Sequence, residues 1–392
     1  MDFNFTSEQE SFRNEVRSFI TENLPPQTTD VSDEGMYDQK KFDERLQFQK
    51  AMATKKWNTM AWPKKFGGLE APHWQQMLLN EEMAYNRAPS GGNHGIDWVG
   101  PALMLVGSEE QQKEHLNKIA NADDDSWWCT FYSEPGAGSD LAALQTRAIQ
   151  DGDEFVVNGQ KIWTSGAHRS NWGWLAARTD PDAPKHRGIS MFLLDLETPG
   201  ITIRPLINMG DEHGFNEVFF EDVRLPKKNL VGEQDRGWYH LAVALDFERS
   251  SIAGFSGSRK TVEDHIQFAD DNPHKIDQNP DVRLEYADRM IEIEIGTNLA
   301  YRIVHMQTNG IIANYEASAA KLFSSELNQR IARTGSKMLG LESLMRPQEP
   351  RAPLGGTIGQ SYVTSVSSTI GGGTSEIQRN IVATRGLGLP RG

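Results

Sequence analysis

The hydrophobic period of this chain changes twice, from helical to alternating near residue 126 and back to helical near residue 235, and few architectures accept that order. Before the first change, Ser7 with Glu10 forms a capping-box signature ahead of Phe12, Val16, Phe19 and Ile20, and Ser108 with Gln111 does the same ahead of Leu116 and Ile119. WPKKFGGLEAP and RAPSGGNHG between them read as loops. After it, Asp151-Gly152 and Asn158-Gly159 are hairpin signals on either side of EFVV, a third strand QKIWTS follows, and WGWLAAR, GISMFLLDL, GITIRPL and NEVFFEDVRL add strands rich in β-branched and aromatic residues. Helices return in the stretch from Leu241, from about Val282 to Thr308, from Glu316 to about Leu339, and from Ser375, with MRPQEPRAPLGGTIGQ as a Pro/Gly-rich loop. The pattern predicts an α+β multidomain chain: helical over 1–125, an antiparallel barrel or sandwich over 126–235, and helical over 236–392.

At 392 residues the chain can bury more than one core. A single cysteine, Cys129, excludes an intramolecular disulfide and any multi-thiolate metal site, and suits a reducing cytoplasm. The ten histidines are scattered without metal-ligand spacing, so no metal is expected. The N-terminal MDFNFTSEQESF lacks an Arg-rich amphipathic pattern and no apolar run approaches bilayer length, so a cytoplasmic location without membrane association is expected. The net charge of -14 argues against nucleic-acid binding, which is built from clustered Lys and Arg.

Four segments carry chemistry. In FYSEPGAGSDLA, Gly136 and Gly138 let backbone amides approach an anion and Ser139 offers a hydroxyl, although the position of a third Rossmann glycine holds Leu141. In QKIWTSGA, strand alternation would set Trp163 and Ser165 on one face, an aromatic plate beside a hydroxyl that suits a flat heterocycle, or simply core filling. In GGGTSEIQRN, Ser375 with Gln378 reads as a capping box at a helix start whose free amides attract anions. Finally, Glu248 falls among Leu241, Leu245, Ile252 and Phe255 at helical spacing, so its carboxylate is expected to be desolvated and raised toward the range of a general base; the alternative is a carboxylate satisfied by Arg249 or another helix.

Taken in order, SEPGAGSD, QKIWTSGA, NEVFFEDVRLPKKNLVG and GGTSEIQRN resemble the acyl-CoA dehydrogenase family over essentially the whole chain. The resemblance implies an N-terminal α-helical domain, a middle β-barrel and a C-terminal four-helix bundle, with FAD as cofactor and α,β-desaturation of an acyl-CoA thioester in lipid metabolism. It implies that Thr130, Tyr132 and Ser133 line the flavin, that Ser139 touches cofactor pyrophosphate or the substrate's phosphopantetheine end, that Trp163 packs against the isoalloxazine with Ser165 near N5, and that Thr374 and Glu376 approach FAD. Many members carry the catalytic glutamate immediately before the final Gly-Thr-Ser, where this chain has Gly372. The branch similar to isovaleryl-CoA dehydrogenases carries it in a Leu-Asp-x-Glu-Arg pattern, read here as LDFER, which assigns the base to Glu248, with Arg249 and Gly372 beside the substrate.

Two family elements are replaced. ADDNPHKIDQNP stands where many members have Arg-x-x-Phe-Gly, and KMLGLESLM stands where a Gln-x-x-Gly-Gly-x-Gly segment meets the cofactor's ADP half. These losses resemble a bacterial branch assembled from two different subunits. The implied partners are an electron-transferring flavoprotein and a second subunit, in a homo- or hetero-oligomer, dimer or tetramer. The competing readings are a weakly catalytic or non-catalytic partner subunit, and other flavin chemistry on the same fold.

Overall fold

The computed structural model describes residues 4–24, 39–244, 250–277, 279–347 and 349–390. Helix α1 spans Ser7–Asn23, α2 Gln39–Thr54, α3 His73–Tyr85, α4 Gly100–Val106 and α5 Glu109–Asn121. The cap of α1 lies one residue earlier than its sequence signature: Thr6 accepts from the Gln9 amide at 3.3 Å and its own amide donates to Gln9 Oε1 at 2.8 Å, while Ser7 is already helical. The Ser108–Gln111 box forms as expected, at 3.2 and 3.0 Å, and turns Leu116 and Ile119 inward.

The strands are β1 Trp128–Phe131, β2 Arg147–Asp151, β3 Glu154–Lys161, β4 Trp172–Arg178, β5 Ile189–Asp195, β6 Ile201–Ile207, β7 His213–Pro226 and β8 Leu230–Val231. They form one sheet in the order β6-β7-β3-β2-β4-β5-β8, with β1 beside β4. The sheet is not wholly antiparallel, because β1 and β2 each meet β4 in parallel; neither is joined to β4 by a hairpin, and the longer connections permit that sense. Strand β4 is buried on both faces: Trp174 and Ala176 join a core that includes Trp62, Leu103 and Leu116, and Leu175 and Ala177 join another with Phe131, Phe155 and Phe192. Cys129, on β1 in the latter core, has no exposed surface, and burial pushes its thiol up to about 12.

Only the first of the two expected hairpin turns exists. Asp151 pairs with Glu154 across Gly152, but Asn158-Gly159 lies inside β3 at a register shift against β7. Asn158 is engaged across the strands, its Nδ2 donating to Asp222 Oδ1 at 3.0 Å and its Oδ1 accepting from the Asp222 amide at 2.9 Å. Gly159 is required because its φ is +155° and a Cβ would lie 2.5 Å from Thr146 Oγ1.

After the sheet come α6 Gly237–Ala244, α7 Ile252–Asp271, the single turn α8 His274–Asp277, α9 Asp281–Thr308, α10 Tyr315–Leu339, α11 Thr357–Ser368 and α12 Ser375–Ile381. The described elements fall into two compact units: α2, α4, α5, the sheet and α6 in one, and α1, α3 and α7 to α12 in the other. Within the second, α1 is tied to α3 by Arg13 with Glu81 at 2.9 Å and by Arg17 with Glu82 at 2.8 Å. Its core gathers Ile252, Phe255, Ile293, Ala300 and Leu327 from α7, α9 and α10.

One expected stripe does not survive. Leu241 belongs to the sheet unit's core, whereas Ile252 and Phe255 belong to the helical unit's. Ser250 and Ser251 between them are non-helical, Ser251 with φ +59°, so no single helical register runs from Leu241 to Phe255. No helix among the described residues is long and apolar enough to cross a membrane.

Candidate active site

The FYSEPGAGSD segment leaves the end of β1 and is held from behind by a buried ion pair. Lys161, the last residue of β3, has no exposed surface; its Nζ donates to Glu134 Oε1 at 2.8 Å and to the Tyr132 carbonyl at 3.0 Å. The Glu134 carboxylate also accepts from the amides of Gln145 at 2.6 Å and Thr146 at 2.9 Å, so one side chain closes both ends of the loop. Burial lowers the Lys161 ammonium to about 8 against the pull of Glu134. Burial works to raise the Glu134 carboxyl, but the Lys161 charge and the three hydrogen bonds outweigh it and hold it below its ordinary value. Both groups therefore stay ionised at neutral pH.

That pair brings two motifs together. The Ile162 amide donates to the Ser133 carbonyl at 2.9 Å, so the Tyr132–Ser133 peptide lies directly against the start of the Ile162–Gly166 turn. Gly136 and Gly138 face open space, with no atom within 4 Å of an added Cβ, and Ser139 is exposed. Thr130 Oγ1 is within hydrogen-bond distance of His94 Nδ1 at 3.2 Å. His94 precedes a π-helical turn, Gly95–Val99, of the kind that recurs at functional sites. The rings of His94, Trp98 and Tyr132 follow one another at 6.0 and 5.5 Å, and burial lowers the His94 pKa to about 4, leaving a neutral imidazole in that row. His94 and Trp98 carry no local signature within RAPSGGNHGIDW, and only the three-dimensional pairing with β1 brings them in.

Trp163 and Ser165 do not sit on a common strand face. Strand β3 ends at Lys161, which pairs with Val218, and the next pairing is between Thr164 and Asn216, at 3.2 and 3.1 Å. Ile162 and Trp163 thus stand opposite the single residue Glu217, which is a β-bulge. The bulge places Trp163 at φ +61°, a left-handed conformation that costs a non-glycine residue about 1–3 kcal/mol. It also turns the indole outward: Trp163 is 56% exposed, with one edge-on ring contact to Phe215 at 5.8 Å. Ser165 is half-buried two residues on.

In the helical unit, Thr374 rather than Ser375 caps α12, accepting from the Ile377 amide at 3.2 Å. Gln378 instead donates to the Gly372 carbonyl at 3.1 Å, closing the loop in which Gly372 adopts φ +66°. Lys321 Nζ holds the same loop from below, donating to the carbonyls of Gly373 at 2.8 Å and Ser368 at 3.1 Å; desolvation lowers its pKa. Glu376 is exposed, its carboxyl held below its ordinary value by its own backbone amide and the Thr374 hydroxyl. It lines, with Glu326, Arg330, Arg333, Ser375 and Arg379, a recess of about 420 Å³ of mixed charge. Arg379 is paired with Glu326 at 2.6 Å and Arg330 with Glu292 at 2.9 Å, while Arg333 is bonded to the Gln329 amide oxygen at 3.3 Å. The Ser375 hydroxyl is buried there with no hydrogen-bond partner among the described residues.

Each unit by itself carries features that suit a part of a dinucleotide with a flat ring system. In the helical unit the buried Ser375 hydroxyl, without a hydrogen-bond partner among the described residues, can donate to an anionic oxygen; in the sheet unit the open glycine loop and the outward indole leave room for a heterocycle. Glu248 and Arg249 lie outside the described residues.

The N-terminal, middle and C-terminal domain models of acyl-CoA dehydrogenase match residues 6–123, 129–223 and 235–387. Acyl-CoA dehydrogenase FadE26 of Mycobacterium tuberculosis is 32% identical, over 100% of this chain and 99% of its own. The solved Tcur3481-Tcur3483 steroid ACAD gives a TM-score of 0.90 at 33% identity, and the ChsE4-ChsE5 complex from Mycobacterium tuberculosis gives 0.87 at 32%, each over 100% of both chains. The chain therefore belongs to the acyl-CoA dehydrogenase family, whose members bind FAD. Within that family it is an oxidoreductase with the three-part fold of helices, sheet and helices.

Proposed function

We propose that this protein is an FAD-dependent acyl-CoA dehydrogenase that desaturates the Cα–Cβ bond of a bulky acyl-CoA, a steroid side-chain thioester being the leading candidate. The observation that carries the reading is the meeting of the Tyr132–Ser133 peptide with the Trp163 turn, fixed by Lys161 and by the Ile162 amide. Two segments about thirty residues apart are thereby tied together. Thr130, Tyr132, Ser133, Trp163 and Ser165 would hold the flavin ring, and Ser139, Thr374 and Glu376 its remaining polar groups. Bound FAD supplies the acceptor for the hydride that leaves the β-carbon. Glu248 takes the α-proton, and Arg249 and Gly372 border the thioester. Gly372 contributes no carboxylate, and the LDFER pattern, by its resemblance to the isovaleryl-CoA dehydrogenase-like branch, supports Glu248 as the base. The substrate class follows the steroid ACAD relative.

The proposed electron acceptor is an electron-transferring flavoprotein. Hetero-oligomerisation is supported by the two relatives solved as complexes, and by Tyr362, Val366 and Ile370, which leave exposed apolar side chains at four-residue intervals on and just beyond α11. A second reading, a weakly catalytic partner subunit, draws on residues 340–344, where a 3₁₀ turn with Leu341 and Leu344 exposed replaces the family's glycine-rich segment.

Anaerobic titration with a panel of acyl-CoAs, steroid side-chain thioesters included, tests the first reading by bleaching of the flavin absorbance. Glu248→Gln is expected to bind FAD and ligand while slowing reduction by roughly 10²–10⁴-fold. A fully loaded flavin that no thioester bleaches would remove the dehydrogenase reading. Little flavin in the purified chain, restored by co-expression with a related subunit, would favour the second.

A further inference from the structure

Asn216 has no exposed surface, and its backbone and side chain are spent on the segment that carries Trp163. Its amide donates to the Thr164 carbonyl at 3.1 Å, its carbonyl accepts from the Thr164 amide at 3.2 Å, and Nδ2 donates to the same Thr164 carbonyl at 3.0 Å. The side chain also joins two rings: Nδ2 lies 3.1 Å from His168 Nδ1, and Oδ1 lies 2.8 Å from His213 Nε2. Those rings stack with centroids 4.0 Å apart. An amide offers two donor hydrogens and an acceptor oxygen, so all three side-chain contacts of Asn216 are made when His168 Nδ1 is unprotonated and His213 Nε2 carries hydrogen. Isosteric aspartate lacks the donors and leucine lacks all three contacts. A left-handed tryptophan persists only where its surroundings over-determine it, and here the residue immediately after it is the one held three times.

We infer that Asn216 is a positioning residue for the cofactor: by locking Thr164 it holds the Trp163 indole turned outward for contact with the isoalloxazine. The inference rests on the proposed role of Trp163 as a flavin contact, and the test separates the two. The full-length protein is prepared with Trp163→Ala, Asn216→Ala and both changes; visible circular dichroism of bound flavin and FAD affinity by titration of apoprotein are measured for each. Trp163→Ala is expected to change the flavin bands and weaken FAD about tenfold, the value of one good aromatic contact. Asn216→Ala, which removes the Nδ2 bond and leaves the two backbone bonds, is expected to shift the bands in the same direction with a smaller loss, and to cost nothing further in the Trp163→Ala background. Asn216→Asp, which keeps the acceptor toward His213, is expected to behave like Asn216→Ala and serves in its place if the alanine variant does not fold. Wild-type flavin bands in the Asn216 variants, or losses that add fully to that of Trp163→Ala, overturn the positioning role. Unchanged flavin in Trp163→Ala overturns the flavin contact itself, and the inference with it.

Discussion

Two sets of candidate cofactor residues are held by opposite means. In the sheet unit, Tyr132, Ser133 and Trp163 are fixed from behind by Lys161, Glu134 and Asn216, of which Lys161 and Asn216 have no exposed surface and Glu134 is 8% exposed. In the helical unit, Thr374 caps and Glu376 sits on a seven-residue helix secured by that hydroxyl cap, by Gln378 on the Gly372 carbonyl, by the exposed Arg379–Glu326 pair and by Lys321, which is only half-buried. A buried network tolerates backbone strain, as at Trp163, because its members cannot be satisfied in any other arrangement. A surface cap fixes a helix start but imposes no strained geometry. The sheet-unit set should therefore fail all at once when perturbed, and the helical-unit set by small steps.

The largest expected effect tests that contrast directly. Lys161→Met leaves the Glu134 charge buried without its cation and should lower unfolding stability by about 3–5 kcal/mol in urea titrations, with part of the loss recovered in Lys161→Met/Glu134→Gln, which removes the charge and keeps an acceptor for the Gln145 and Thr146 amides. A loss under 1 kcal/mol would mean that the loop is not held by the pair.

Next is pH. His265 in α7 is buried, within hydrogen-bond distance of the Tyr286 hydroxyl at 3.1 Å, and desolvation lowers its pKa to about 4. Because protons favour the unfolded chain here, its contribution is complete above pH 6.5 and is lost as pH falls from 6.5 through 4. The loss is on the order of 3 kcal/mol. His265→Phe should make the urea-stability profile less steep across that window, with His94 still contributing, and an equally steep profile would assign the acid sensitivity elsewhere.

Thr374→Ala removes the α12 cap, for which about 1 kcal/mol is expected with the sheet-unit flavin contacts unaffected. The smallest effect on stability is expected at Trp163→Gly. Relief of the left-handed strain should offset the lost Phe215 contact, so Tm stays within a few degrees while FAD binding weakens. A Trp163→Gly protein that loses stability sharply would show that the indole is a structural rather than a presented group.

What could be read in advance follows from the range of the interactions. The Ser108–Gln111 box is local and forms as written, and the helices expected from about Val282 and Glu316 begin within a residue of those positions. The Asn158-Gly159 signal misled because a bulge and a hairpin use the same dipeptide, and the choice was made by Asp222 on a distant strand. The extended QKIWTS reading failed for a similar reason, since the bulge at Trp163 exists only against Glu217 and Asn216. Lys161 carried a readable hint: Phe155, Val157 and Lys161 are the buried positions of β3, and a lysine in that set demands a buried acid. Asn216 carried none, as its partners are Thr164, His168 and His213. The stripe drawn through Glu248 assumed one helix where Ser250 and Ser251 interrupt it, so the assignment of that base stands on the LDFER pattern alone.

The sealed position of Cys129 gives this protein a built-in clock. A lone sulfhydryl packed inside β1, one residue from Thr130, stays silent toward disulfide reagents while the strand is closed, so labelling in dilute denaturant times the opening of the very strand that leads into the Tyr132–Ser133 peptide. If FAD anchors that peptide, adding cofactor should slow the labelling in proportion to occupancy, a read-out of binding that needs neither substrate nor turnover.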